Sequence, residues 1–567
     1  MRNIHLAILA AAAAAAAPLT AQSPDAGPPI MTLDVTPTAI DPATQTGAVT
    51  VEMTIPAMQV RKGEVMLRLG LSMPGQARPH RVTAITATDS RGTIALEAPS
   101  DMVAEWRAPR DVEGDVHVRY TLALESIPML QGGPPTAVRV DGQAFSGIGE
   151  VLFAQPSLTE PVAIKVDWHL GGMPRGAEAV SSFGDGDIDL PVGAPDRLGN
   201  AVYMVGPVWR EPEQGTIDNF SAVWADDPGF DPRAIMRWTA KLHSWMSDFF
   251  GDETAPPYRV FMRFNPMNAG GGAALYHSFL VTYGKGVTGE TLKSILGHEM
   301  THTWTANDLG KWYDEGNAVY YQALLPWRAG LMSDEEYLAD INQTASRYYT
   351  GLLRNTPEEE AVRRFWEDTR VRVLPYDRGA MYFAKLNGMI RRASGGKRSV
   401  DDLVFEMIDR AKKGLSITDA VWLGMLRREV GEKAVEMHRA MLAGGLIVPE
   451  SDDFGPCFRR TTKMIRRFDV GFDFSSLIGA DKVVRGLKPG SEAAKAGVRE
   501  GDHFTYGVAL DAVQAEVNRQ FTIAVTRDGK TFPITYLPRG EAVEAYQWEV
   551  DPAAPAGACH SPQGAAQ

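Results

Sequence analysis

The stretch His298-Glu299-Met300-Thr301-His302, with Glu315 thirteen residues beyond the second histidine, constrains this chain more than any other feature. Residues four apart share one face of a helix, so His298 and His302 can grip a single ion together. The pattern requires a helix, and Leu292, Ile295 and Leu296 just before it are spaced to build one. Gly310 then breaks the chain, and residues 312–325 read as a second helix carrying Glu315. Hydrolytic zinc sites take three protein ligands and keep one position open, whereas structural sites take four. His298, His302 and Glu315 are therefore the candidate ligands for one Zn2+ per chain, and Glu299 is the candidate general base beside it.

The rest of the chain has to carry such a site. At 567 residues it is too long for one core, and 44% hydrophobic with 22% charged residues is an ordinary globular balance. Lys and Arg number 57 against 70 Asp and Glu, a net charge of −13, with no basic stripe, which argues against a nucleic-acid partner. Arg2, the apolar run from Leu6 to Ala17, and Pro18 to Ala21 read as an export signal over residues 1–21, giving a periplasmic or secreted protein. That run is short for a membrane span, and no later one is long enough. Cys457 and Cys559 can pair in an oxidising compartment or remain free thiols, and neither lies near the zinc motif.

The fold class expected is α+β multidomain. Residues 31–223 hold short alternating runs such as 49–55 and 116–124, the pattern of an N-terminal antiparallel β domain. Residues 224–455 read as a mostly α catalytic domain with a helix at 233–250 and strands at 258–264 and 274–283. Thr356 and Pro357 read as a helix start, with Glu358 and Glu359 as solvated capping residues. Residues 457–545 form a further β unit, and 546–567 a flexible tail. Asp308 and Asp314 are surface residues, either of which can orient a ligand histidine, and Trp304, Trp312, Tyr320, Tyr321 and Trp327 read as helix packing.

Two resemblances emerge from these motifs. The segment Lys482–Asp502, with Pro489-Gly490-Ser491, Ala493-Ala494, Ala496-Gly497 and Gly501-Asp502, looks like a PDZ domain. That resemblance implies a loop, here Val470, Gly471 and Phe472, that captures a peptide C-terminus, with Phe474 lining the groove. A unit that only packs against the catalytic domain with its groove blocked is equally open. The whole arrangement resembles the glycyl aminopeptidase family of zinc metallopeptidases, whose members have an N-terminal β domain, a thermolysin-like catalytic domain and a PDZ-like domain. The segments 298–304, 312–316 and 375–379 match its zinc helix, third-ligand helix and catalytic tyrosine segment. The resemblance implies that Tyr376 assists the transition state and that the strand holding Ala274, Tyr276 and His277 binds peptide or protein substrate. His277 itself can instead hydrogen-bond locally.

Two departures matter. The stretch from His302 to Glu315 is shorter than the family's. The family's amine-binding Glu falls at Ala274, and no carboxylate occurs from Gly270 to Tyr283. A free substrate amine thus lacks its fixed counter-charge, which makes endopeptidase activity a reading alongside aminopeptidase activity. The competing readings are a catalytically idle protein holding peptides in the cleft and PDZ groove, and a structural protein whose zinc is a staple.

Overall fold

The computed structural model describes residues 28–73, 76–96, 104–129, 135–267, 269–478, 481–555 and 559. The export segment at 1–21 lies outside them. Among the described residues, no helix is long and apolar enough to cross a membrane.

Alternation of apolar and polar residues builds the first unit. In strand Thr46–Val60, Val49, Val51, Met53 and Ile55 point into the core. This strand lies within a seven-stranded sheet, between Ile30–Pro37 and Val112–Glu125. Pairing is mostly antiparallel, but Ile30–Pro37 runs parallel to Val162–Trp168. A second sheet of five strands, with Val202–Gly206 at its centre, packs Val180, Val202 and Met204 against Val223, Phe261 and Leu280 of the next unit.

Those last three residues belong to another five-stranded sheet, ordered Trp209–Glu211, Phe220–Trp224, Tyr258–Phe264, Ser278–Tyr283, Gly272–Leu275. The boundary expected at 223 therefore falls inside a strand, and 209–224 pair with the catalytic unit. The single strand expected at 274–283 is instead a hairpin. Gly272–Leu275 is the edge strand, Tyr276 and His277 make the turn, and Ser278–Tyr283 returns antiparallel. His277 adopts φ +42°, a left-handed conformation that ends the first strand. Its carbonyl accepts from Arg259 N–H, while Tyr276 N–H donates to the Asn200 carbonyl.

Helices cover this sheet. Pro232–Phe249 is capped by Asp231. The ligand helix, Gly289–Thr305, starts at a reciprocal cap between Thr288 and Thr291. It packs on the third-ligand helix, Lys311–Arg328, with Asp334–Thr350 behind it and Leu374–Ser394 alongside. Two crossings depend on glycine. A Cβ on Gly297 would lie 2.3 Å from the Gln322 carbonyl oxygen, and one on Gly316 would lie 2.6 Å from Gly379 Cα. Each crossing is next to a candidate site residue, His298 and Glu315 respectively.

The helix expected at Thr356 begins at Glu358, with Pro357 in the cap position and no side-chain cap. Glu358 is buried rather than solvated. Its carboxylate pairs with the fully buried Arg378 at 2.7 Å, while Arg378 also donates to the Thr356 carbonyl. Charge burial, not capping, fixes this corner.

The C-terminal unit has its own apolar core around Phe472, Phe504, Phe521 and Tyr536 and a three-stranded sheet, His503–Tyr506, Phe521–Arg527 and Lys530–Tyr536. A long ribbon, Phe458–Phe468 with Arg539–Val550, ties it to the helical body. Asn342 on helix Asp334–Thr350 exchanges two hydrogen bonds with the Trp548 backbone, at 2.7 and 2.8 Å. The tail expected from 546 therefore begins inside a docked strand. Cys457 and Cys559 form a disulfide.

Candidate metal centre and cleft

Two helices meet where Gly297 passes Gln322, and this brings His298 and His302 opposite Glu315. Glu315 Oε2 lies 3.5 Å from His298 Nε2 and 3.7 Å from His302 Nε2. Bonds of about 2.0–2.1 Å from a tetrahedral Zn2+ separate its ligand atoms by roughly 3.3–3.4 Å, so the donor set fits that ion. Among the described residues, it is the one group of three such side chains with metal-binding spacing.

The outward-facing imidazole nitrogens are engaged as metal-ligating histidines require. His302 Nδ1 lies 3.1 Å from Asp314 Oδ1, so of the two candidate orienting residues it is Asp314, not Asp308, that reaches a ligand. His298 Nδ1 lies 3.2 Å from Gln322 Oε1, and Gln322 donates onward to both oxygens of buried Asp340 at 2.9 and 3.0 Å. Lys311 Nζ donates to Glu315 Oε1 at 3.1 Å. Burial pushes the Glu315 carboxyl up, but the His298 hydrogen bond and the neighbouring His298, His302 and Lys311 charges outweigh it and hold the group at about 2.

Glu299 sits on the same helix beside the ligands, and its carboxylate accepts a hydrogen bond from Ala274 N–H on the edge strand. Burial raises its pKa, opposed by the two histidines. Tyr376 stacks over the His298 ring at 5.9 Å and 16°. Burial, reinforced by Glu315 and Glu299, drives its hydroxyl far above the ordinary tyrosine range, so it stays a protonated donor. The adjoining Asp377 is fully buried and takes two hydrogen bonds from Arg347, at 2.8 and 2.5 Å. With Arg378 held by Glu358, the two residues that follow Tyr376 are both fixed by buried ion pairs.

The substrate-strand residues split in role. Ala274 is exposed on the edge strand, at the position expected to carry an amine-binding carboxylate. Tyr276 is exposed and its ring lies 5.2 Å from Phe183, while His277 packs 4.4 Å from Tyr276. Both line a cavity of about 280 Å3 together with Glu299, His302, Thr303 and Asn200. Glu299 is the one carboxylate in that lining.

The loop Val470-Gly471-Phe472 sits at the start of the C-terminal unit's core. Val470 and Phe472 are core residues, and Gly471 N–H already donates to Asp469 Oδ1 at 2.9 Å. Phe474 is covered by the Arg370 guanidinium at 4.1 Å, and Asp511 pairs with Arg372, so this unit packs on the catalytic body at the foot of the Tyr376 helix.

Sequence reasoning missed Gln322, Asp340 and Lys311. Gln322 lies seven residues past Glu315, on the same helical face, which was a usable signal. Lys311 lies four before it, the spacing of a helical ion pair. Asp340 reaches the site only through tertiary packing. The wall beside Tyr376, formed by Phe365 at 6.3 Å and then exposed Trp366, left no local pattern.

No protein-family model matches the chain, and none of the curated proteins does. Among solved structures it is similar to an aminopeptidase N family protein from Idiomarina loihiensis, with a TM-score of 0.64 and 15% identity over 92% of this chain and 98% of that one. It also aligns with an M1 zinc metallopeptidase from Deinococcus radiodurans (TM-score 0.45, 16% identity, 74% and 95% of the two chains). Native yeast LTA4 hydrolase aligns with a TM-score of 0.46 and 12% identity, over 75% and 69%. At 15% identity the first likeness is one of fold.

Proposed function

We propose that this chain is an exported zinc metallopeptidase that hydrolyses peptide bonds. The observation carrying the reading is the convergence of His298, His302 and Glu315 at 3.5–3.7 Å, with the Glu299 carboxylate beside them and the Tyr376 ring over His298. His298, His302 and Glu315 would hold Zn2+, which would supply Lewis acidity toward a water and a carbonyl oxygen. Glu299, with its raised pKa, takes the proton from the attacking water and passes it to the leaving amine. The Tyr376 hydroxyl, which stays protonated, donates to the oxygen on which negative charge develops. Asp314 and Gln322 hold the ligand imidazoles in one orientation.

The finer reading, membership of the glycyl aminopeptidase group, rests on the motif resemblance alone. Against strict aminopeptidase action stands the exposed Ala274 in a cavity whose one carboxylate is Glu299. A free amine finds no spare counter-charge there, so we favour substrates whose residue before the cut is small or blocked. The C-terminal unit, PDZ-like in sequence, is read as a wall of the catalytic body rather than a receptor for peptide C-termini, because its loop donor and groove aromatic are already engaged. Export is supported by the composition of the N-terminal segment and by the Cys457–Cys559 disulfide.

The test is a mass-spectrometric digest of a mixed peptide library by the zinc-loaded protein, with Glu299→Gln alongside. Cuts made only by the wild type are expected. Equal cutting by both proteins would remove Glu299 as the base, and cutting by neither, with zinc bound, would leave the idle peptide-holding protein as the better reading.

A further inference from the structure

Two arginines just before the Tyr376 helix reach across to the C-terminal unit. They belong to one short helical turn, Thr369–Arg372, and Val373 both closes that turn and opens helix Leu374–Ser394. Arg372 therefore stands four residues before Tyr376, with only Val373 between the two helical segments. Asp368 caps the turn, accepting from Arg370 N–H at 2.9 Å and from Arg370 Nη2 at 2.7 Å. The Arg370 guanidinium lies over the Phe474 ring at 4.1 Å. Arg372 donates to Asp511, on the helical turn Leu510–Ala515 of the C-terminal unit. Its guanidinium also lies 5.7 Å from the Trp366 ring. Ring contacts then continue from Trp366 to Phe365 at 5.1 Å, from Phe365 to Tyr376 at 6.3 Å, and from Tyr376 to His298 at 5.9 Å.

Resting on the peptidase reading, we propose that Asp511 is a positioning residue for the reaction: through Arg372 it fixes the Trp366–Phe365 wall and the start of the helix that aims the Tyr376 hydroxyl. The C-terminal unit thereby completes the active site rather than only standing beside it. Two observations separate this role from docking. First, the unit is anchored elsewhere. Asn342 is bonded to the Trp548 backbone, and Gln547 Nε2 donates to Ser346 Oγ at 3.1 Å. Loss of the Asp511 carboxylate leaves those contacts in place. Second, both partners of the ion pair are partly exposed, and pairs of that kind contribute little to stability. The effect of the pair falls on geometry instead. Trp366 is 59% exposed, so packing alone does not fix its ring, and the guanidinium held by Asp511 lies against it. Asp377 and Arg378 are held by ion pairs on the far side of Tyr376. Asp511 supplies the matching hold before it, without which the first turn can pivot at Val373.

The experiment compares Asp511→Ala, which removes the carboxylate and suits a helical turn, with Asp511→Glu, which keeps the charge. Wild type, both variants and Tyr376→Phe are assayed on one peptide cleaved in the library digest, after zinc content and urea midpoint have been measured for each. Asp511→Ala is expected to lower kcat by about tenfold, with KM, zinc content and midpoint close to wild type, because a small misplacement of a catalytic group suffices for such a loss. Asp511→Glu should recover most of it. Asp511→Ala/Tyr376→Phe should be no slower than Tyr376→Phe alone, because both changes act on one hydroxyl. An unchanged kcat in Asp511→Ala, or an equal loss with and without the tyrosine hydroxyl, overturns the proposal. So does a loss that tracks a lowered midpoint or zinc content. Arg372→Gln breaks the pair from the other side and should reproduce the same loss, which keeps the question decidable if Asp511→Ala does not fold. A second readout needs no turnover. Hydrogen–deuterium exchange over residues 365–378 should quicken in Asp511→Ala, while exchange around Asn342 and Trp548 stays as in the wild type. Equal exchange over 365–378 in the two proteins overturns the proposal. Failure of all cleavage would sink the peptidase reading, and the exchange would still show whether Asp511 holds this segment.

Discussion

At the scale of single residues, the site divides into groups that do chemistry and groups that aim them. On the proposed mechanism Tyr376 belongs to the first class, with its ring stacked on His298 and its hydroxyl kept protonated by burial. Tyr376→Phe keeps the ring and removes the donor. It should lower kcat by about 10²–10³ with zinc content unchanged, as removal of one oxyanion donor does. A fall in zinc content instead would make the tyrosine a structural residue. Asp314 belongs to the second class, since it touches His302 and nothing that reacts. Asp314→Asn should weaken zinc affinity by about 10–100-fold, measured by competition with a chelator, while activity at saturating zinc changes far less. His298, Glu299 and His302 were legible because one helical turn places them together, and Glu315 because the break at Gly310 starts a second helix that carries it. Gln322 was legible in principle, but Asp340 was not, because nothing in 340's neighbourhood refers to 298.

At the scale of elements, the catalytic geometry depends on how closely helices approach. Gly316 and Gly379 touch backbone to backbone, and each is flanked by residues with a role: Glu315 on one helix, Tyr376 to Arg378 on the other. Gly316→Ala places a methyl 2.6 Å from Gly379 Cα, against backbone that cannot rotate aside. Overpacking of this kind costs about 1–3 kcal/mol, to be read as a lower urea midpoint, and it should separate Glu315 from the histidines, lowering zinc affinity as well. A variant with native midpoint and native zinc affinity would show that the crossing is not what aligns the triad. These crossings explain why the helices were readable from sequence and their packing was not. Periodicity gives the buried face of a helix, whereas the distance of approach depends on which small residue meets which. The hairpin at Tyr276-His277 was missed for a related reason. The run from Ala274 to Tyr283 is apolar enough for one strand, and only the left-handed conformation at His277 and the Asn200 contact from another unit break it.

At the scale of the whole molecule, three buried histidines outside the ligand set link stability to pH. His80 lies in the N-terminal unit, His243 and His438 in the helical body, and each is 0–2% exposed. Burial holds each at about 4, against an ordinary value of 6.5. The depressed value means that the folded protein resists a proton the unfolded chain accepts. The stability they confer is therefore complete above pH 6.5 and is lost as pH falls toward 4. At pH 5 the loss is on the order of 2 kcal/mol per histidine, a large share of the about 5–15 kcal/mol that holds a typical domain together. His438 gives the cleanest test, because it packs 4.7 Å from Trp312 and 5.5 Å from Tyr382, where a phenyl ring can replace it. Urea unfolding of the wild type and of His438→Phe at pH 7 and pH 5 isolates its share, because acid release of zinc and the titration of every other group are common to both proteins. The wild type should lose more stability than the variant between the two pH values, by about 2 kcal/mol. Equal losses would mean that the His438 imidazole is protonated as readily inside the fold as in the open chain, and that burial against Trp312 and Tyr382 does not exclude its charge.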